Sequence, residues 1–129
     1  MRWRFILYNL YLRMSYELKQ DGKFKFIEEG NGEPLMLLHG LFGALSNFQF
    51  LIEHFKKTNK VVVPLLPLLD LDLLHTSVGG LQKFVHKFIE HRNLDNIHLL
   101  GNSLGGHVAL VHILKHPERI KSLILTGSS

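Results

Sequence analysis

An α/β fold, with a mainly parallel sheet covered by helices on both faces, is the architecture this sequence predicts. Three observations carry it. Short runs such as Leu35 to Leu38 and Ile97 to Leu100 are apolar throughout, which suits strands buried inside a parallel sheet. Between such runs the apolar spacing switches to i, i+3, i+4, i+7, the period of an amphipathic helix. The two kinds of segment also alternate along the chain, an order that gives right-handed crossovers and parallel strands.

Taken in order, Tyr16 to Gln20 and Phe24 to Glu29 alternate apolar and polar residues around Asp21-Gly22, a hairpin turn signal. Asn31-Gly32 marks a second turn before the strand Leu35 to Leu38, which ends at His39-Gly40. Phe48, Leu51, Ile52 and Phe55 line one face of a first helix, with Ser46 or Asn47 as its N-cap. Lys60 to Val63 is a β-branched strand that Pro64 ends. Val78, Leu81, Val85, Phe88 and Ile89 line a second helix capped by Thr76 or Ser77. After Ile97 to Leu100 come a glycine-flanked Ser103, a helix to about His116 ahead of Pro117, and a last strand, Lys121 to Leu125. The expectation is a hairpin followed by β-α-β-α-β-α-β, about six strands and three helices. It forms one domain over residues 14–129, without linker, repeat or cap.

Composition narrows the function classes. A chain of 129 residues with 46% hydrophobic residues can bury one real core. The formal charge of +4 is spread rather than gathered beyond short runs such as Lys56-Lys57, so a nucleic-acid partner is not expected. The absence of cysteine excludes disulfides, a thiolate nucleophile and a thiolate zinc site. Residues 1–13 carry Arg2, Arg4 and Arg13 around the apolar-aromatic run Trp3 to Leu12. Asn9 interrupts that run, no small-residue cleavage site follows, and a bilayer span needs ~20 apolar residues. Membrane association is therefore not expected. The segment reads as an extension from a mis-assigned start, with Met14 as the true one, on a cytoplasmic protein.

The chemistry centres on Gly101-Asn102-Ser103-Leu104-Gly105, which fits G-x-S-x-G. A reactive serine must project from a sharp strand-to-helix turn, and glycines on either side let strand and helix approach without Cβ clashes. A strand before and a helical pattern after give the motif its required context. A dinucleotide-binding turn would instead want G-x-G-x-x-G near the first strand of the sheet and an acidic residue roughly 20 positions later, and neither is present. The second piece is Leu37-Leu38-His39-Gly40-Leu41-Phe42-Gly43. Acyl transfer needs backbone N–H groups aimed at the developing oxyanion. Leu104, following the serine at a helix N-terminus, supplies one; the loop after the earlier strand supplies the other, from Leu41 or, alternately, Phe42.

These two motifs, together with His116-Pro117-Glu118-Arg119-Ile120, resemble the α/β-hydrolase superfamily in its esterase-like branch, over Met14 to Ser129 and as the N-terminal part of a longer fold. The resemblance implies a serine hydrolase in which Ser103 attacks carboxylic esters of small molecules through an acyl-enzyme, with no cofactor. It also implies that His39, beside Gly40, stabilises its loop rather than acting as the base, and that Gly101 and Gly105 support the serine turn. Ser rather than Asp at position 103 speaks against the haloalkane dehalogenase and epoxide hydrolase branches. Gly-Asn-Ser also occurs in carbon–carbon bond hydrolases of aromatic degradation. Those typically show glycine-proline-glycine after His-Gly, where this chain has Leu41-Phe42-Gly43, so that activity stands as an alternative for the parent protein.

The sequence departs from the family twice. An Asp-x-Pro-Gly-x-Gly-type loop is replaced by the apolar stretch from Pro64 to Leu74, readable as core packing, as a wall of the substrate entrance or as a cap contact. More seriously, the triad order is Ser, then Asp or Glu, then His. After Ser103 the only carboxylate is Glu118, and the histidines are His107, His112 and His116, all in the helix that the serine opens. His112 and His116 would lie roughly 13 to 20 Å along that helix. His107, on a buried helix, lacks the lateral approach a base needs. Asp70 and Asp72 precede Ser103, against the chain order. Acid and base are expected beyond Ser129, and the chain alone is expected to be inactive. The alternative is a truncated or remnant domain that self-associates through an open sheet edge.

The other histidines offer less. His112 and His116 have metal-compatible spacing, but Ile113 stands where a zinc protease has glutamate and no third ligand is evident, so no metal is expected. His86 and His91, beside Lys87 and Arg92, read as a solvated face; His54, His75 and His98 show no partner pattern.

Overall fold

The computed structural model describes residues 16–40, 44–68 and 77–127, with side chains in the second stretch from Phe48 onward. Lys19–Asp21 (β1) and Phe24–Glu29 (β2) form the hairpin, followed by Pro34–Leu38 (β3), Ala44–Phe55 (α1), Lys60–Pro64 (β4) and Val78–His91 (α2). Ile97–Asn102 (β5), Leu104–Lys115 (α3), the 3-10 turn Pro117–Arg119 and Ile120–Thr126 (β6) complete the order. The six strands make one sheet, β1-β2-β4-β3-β5-β6. The pairs β1–β2 and β2–β4 are antiparallel, and the remaining three are parallel. The fold class, the alternation and the position of each strand–helix unit are as the sequence predicts.

Alternation within the central strands explains the two-sided cover. Met36, Leu38, Val62, Ile97 and Leu99 point to one face, where Leu81, Val85, Phe88 and Ile89 of α2 and Val108 and Ala109 of α3 pack. Leu35, Leu37, Val61, Val63 and Leu100 point to the other, against Phe48 and Ile52 of α1. Each successive Cβ on a strand changes face, so an unbroken apolar run serves both layers at once. Arg92, just past α2, donates to Asp21 at 2.9 Å and Glu28 at 3.1 Å, tying the hairpin to the helix layer.

Several boundaries differ from the sequence reading. The first strand begins at Lys19, because Tyr16 and Leu18 pack onto the α1-side core and the Tyr16 hydroxyl donates to the Glu53 carboxylate. Helix α1 begins at Ala44, so Ser46 and Asn47 lie inside its first turn instead of capping it. Ala44 and Leu45 are stronger helix formers and carry the helix further back. Ser77 does cap α2, its Oγ accepting from the Gly80 N–H at 3.0 Å. Residues 1–13, Leu41, Phe42, Gly43, Asp70, Asp72, His75 and Thr76 lie outside the described residues. Among the described residues, no helix is long and apolar enough to cross a membrane.

Candidate active site

Strands β3 and β5 lie side by side at the centre of the sheet, with Leu38 paired to Gly101, so both motifs emerge at the same carboxyl edge. That is where ligands bind in open parallel sheets. Ser103 is the single residue between β5 and α3, with φ 56° and ψ −120°. This region is disfavoured for any residue with a Cβ, so the surrounding contacts must impose it. The Ser103 N–H donates to the Thr126 carbonyl at 2.9 Å. The Ser103 carbonyl accepts from the Gly106 N–H at 2.9 Å and the His107 N–H at 3.3 Å, opening the helix. One residue earlier, Asn102 Oδ1 accepts from Thr126 Oγ1 at 3.0 Å.

The glycines are required by distance. A Cβ on Gly101 would lie 2.4 Å from the Gly105 carbonyl oxygen, and one on Gly105 would lie 2.1 Å from that of Leu38. Helix α3 therefore starts almost in contact with β3, and only hydrogens fit between them. A Cβ on Gly40 would come to 3.2 Å from the Ser103 Cβ and 3.6 Å from its Oγ, so the His-Gly turn and the serine turn face each other directly. Ser103 itself is exposed.

His39 fastens the turn after β3. It is fully buried, its Nδ1 lies 3.0 Å from the Gly40 carbonyl, and its Nε2 lies 3.1 Å from the Leu66 N–H. A main-chain N–H only donates, so Nε2 accepts and Nδ1 carries the hydrogen given to Gly40. Burial pulls the His39 pKa down to about 4, which keeps the ring neutral at pH 7 and suited to that pair of roles.

A family model for the alpha/beta hydrolase fold matches residues 71–129. Over 122 residues the chain is 30% identical to Lipase 1 of Psychrobacter immobilis, covering 89% of this chain and 38% of the lipase. Its structure resembles that of MGS-MChE2, an alpha/beta hydrolase enzyme from a sediment metagenome of the Mar Chica lagoon, Morocco. That match has a TM-score of 0.82 and 47% identity, over 88% of this chain and 52% of that one. A marine microorganism esterase matches with a TM-score of 0.69 and 29% identity, over 85% of this chain and 41% of the esterase. The chain belongs to the α/β-hydrolase superfamily. It spans about half or less of the length of each of these relatives.

Within this α/β-hydrolase chain, Ser103, Leu104, Gly101, Gly105, His39 and Gly40 gather at the ends of β3 and β5. Leu104 opens α3, where the first N–H groups have no partner inside the helix and its dipole favours negative charge nearby. Thr126 and Gly127, which brace Asn102 and Ser103, were not recognised in the sequence. Gly127 has φ +58°, and a Cβ there would meet Asn102 Oδ1 at 2.9 Å, so a glycine just past the last strand was the available signal.

The histidines depart from the sequence reading. His107 is exposed, not buried, because the sheet-facing side of α3 carries Gly105, Val108, Ala109 and His112, and His107 falls on the opposite side. His112 is 1% exposed and lies 3.2 Å from the Gln82 amide nitrogen through Nδ1. His86 stacks on His116 with ring centroids 3.7 Å apart, so it belongs to the α2–α3 seam more than to a solvated face. His91 pairs with Asp21 at 3.0 Å, and His98 has close partners in Glu33 and Ser122. Among the described residues, no group of three or more His, Asp or Glu is arranged to hold a metal ion.

Proposed function

We propose that this chain is the nucleophile-bearing part of a serine hydrolase that cleaves carboxylic esters through an acyl-enzyme at Ser103. The observation that carries the reading is the serine held at φ 56° between β5 and α3, exposed and facing Gly40. In the proposed reaction Ser103 Oγ attacks the ester carbonyl. The Leu104 N–H and that of Leu41, or alternately Phe42, receive the oxyanion, and water then releases the acid. His39 holds the His-Gly turn in place and takes no proton from the serine. The ester class rests on the lipase and esterase relatives.

The general base and its carboxylate are assigned beyond Ser129. His112 and His116 are engaged in the α2–α3 seam, and the Glu118 carboxylate lies 3.6 Å from His116. In this reading the 129-residue chain alone does not activate Ser103. The outer strand β6 leaves Ile124 43% and Leu125 42% exposed, and self-association through that edge belongs to the same proposal.

The DNA downstream of the Ser129 codon gives the first test. An Asp or Glu followed by a His at the ends of later strands supports the reading; an immediate stop codon removes catalysis from this chain and favours the remnant alternative. In a protein that carries those residues, Ser103→Ala is expected to lower kcat for a p-nitrophenyl ester by at least ~10³-fold with little change in KM. Retained turnover would overturn the assignment of Ser103.

A further inference from the structure

A second serine, at the opposite end of the sheet, has a histidine and a carboxylate in line behind it. His98 and Ser122 are register partners on β5 and β6, so both side chains stand on the same face. His98 Nδ1 lies 2.7 Å from Ser122 Oγ, and His98 Nε2 lies 2.8 Å from Glu33 Oε2, at the turn that precedes β3. Lys121 Nζ holds both Glu33 oxygens, at 2.9 and 3.1 Å. All four side chains have some access to solvent. Ser103 stands five positions beyond His98, roughly 16 Å of extended strand, so this group is independent of the candidate active site.

The hydrogen positions follow from the charges. Lys121 and then His98 hold the Glu33 carboxyl below its usual range, so it is ionised at neutral pH and can only accept. A neutral His98 therefore carries its hydrogen on Nε2, toward Glu33, and presents the bare Nδ1 to the Ser122 hydroxyl. That is the arrangement of an activated nucleophile: a hydroxyl on a base, and the base oriented by a third group. The nitrogens are exchanged relative to the familiar serine–histidine pair, but either ring nitrogen can take a proton.

We propose that Ser122 is a second acyl-accepting residue, modified by small activated esters through His98 and Glu33. Ser122 Oγ forms a bond to the ester carbonyl carbon, and its proton passes to His98 Nδ1. The bond from that carbon to the aryl oxygen breaks, and the aryloxide leaves with the electron pair and receives the proton from His98. The products are an acyl-Ser122 ester and the free phenol. Residue 122 lies within the edge strand β6 and not at a helix N-terminus, where first-turn N–H groups gather to receive an oxyanion, so the reaction is a stoichiometric modification.

The test uses the full chain with Ser103→Ala, so that acylation at residue 103 cannot contribute. The protein is treated with p-nitrophenyl acetate, and acetylated residues are located by peptide fragmentation after trypsin, which cuts before Ser122. Acetyl-Ser122 is expected at least tenfold above Ser77, a helix cap whose Oγ accepts from the Gly80 N–H. Adding Ser122→Ala should remove the signal, and adding Glu33→Gln, a mild change at the surface, should slow acetylation at least tenfold. Labelling of Ser122 no faster than Ser77, or unaffected by Glu33→Gln in a protein with unchanged circular dichroism, would overturn the proposal.

Discussion

Lowering the pH from 7 to 4.5 sets two buried histidines against the fold. His39 and His112 each have an ordinary value of 6.5 and are brought down to about 4 in the folded chain. Burial is the main cause for both; for His112 the neighbouring His116 and His86 add to it. The unfolded chain takes up a proton near 6.5, whereas the folded chain resists until about 4, so the unfolded state binds more protons throughout that interval. Stability is then highest above pH 6.5 and falls as the pH drops toward 4. The gap corresponds to about 3 kcal/mol for each histidine, with a slope near pH 5 of about 1.2 kcal/mol per pH unit each. The carboxylates of Asp21, Glu33, Glu53 and Glu118 are pulled below ordinary values of 3.8 to 4.5. Their contribution is present above those values and is lost only at lower pH, so it does not fill the same window. Urea unfolding followed by far-UV circular dichroism at several pH values between 4.5 and 6.5 measures the slope. His39→Gln is expected to remove about half of it. Variant and wild-type stabilities that run parallel across the window would refute the argument for His39.

Gly105→Ala forces a Cβ to 2.1 Å from the Leu38 carbonyl oxygen, and a loss of about 3 kcal/mol or more in urea unfolding is expected. Ser77→Ala removes the acceptor for the Gly80 N–H and should lower stability by about 1 kcal/mol, with the slope against urea unchanged. Ser103→Gly relieves the disfavoured backbone at φ 56° and should raise the thermal midpoint, by about 1 kcal/mol in stability, while removing the hydroxyl.

The sheet was legible because its signal is local. Val61 to Val63 and Leu35 to Leu38 are apolar at every position, and only a strand covered on both sides buries them all. The serine turn was legible because its glycines answer a steric demand visible in spacing alone. What the sequence withheld depends on distant partners. Residue His39 is separated from Leu66 by 27 positions, and His98 from Glu33 by 65. Nothing in the neighbourhood of either histidine marks those pairings, because they arise from strand register and not from periodicity. His107 was misplaced for a different reason: one residue along a helix turns the side chain by about 100°. A helix read as buried still sends every third or fourth side chain to solvent.

The hydrogen bond from Ser103 to the Thr126 carbonyl has a consequence for the order of assembly. During synthesis the serine turn leaves the ribosome before the residue that braces it. Strands β3 and β5 and the start of α3 can be in place before the Thr126 carbonyl is there to accept from the Ser103 N–H. The arrival of β6, with Thr126 at its end, adds two hydrogen bonds to Asn102 and Ser103. The exposed serine thus takes part of its support from the last strand of the described fold to be synthesised.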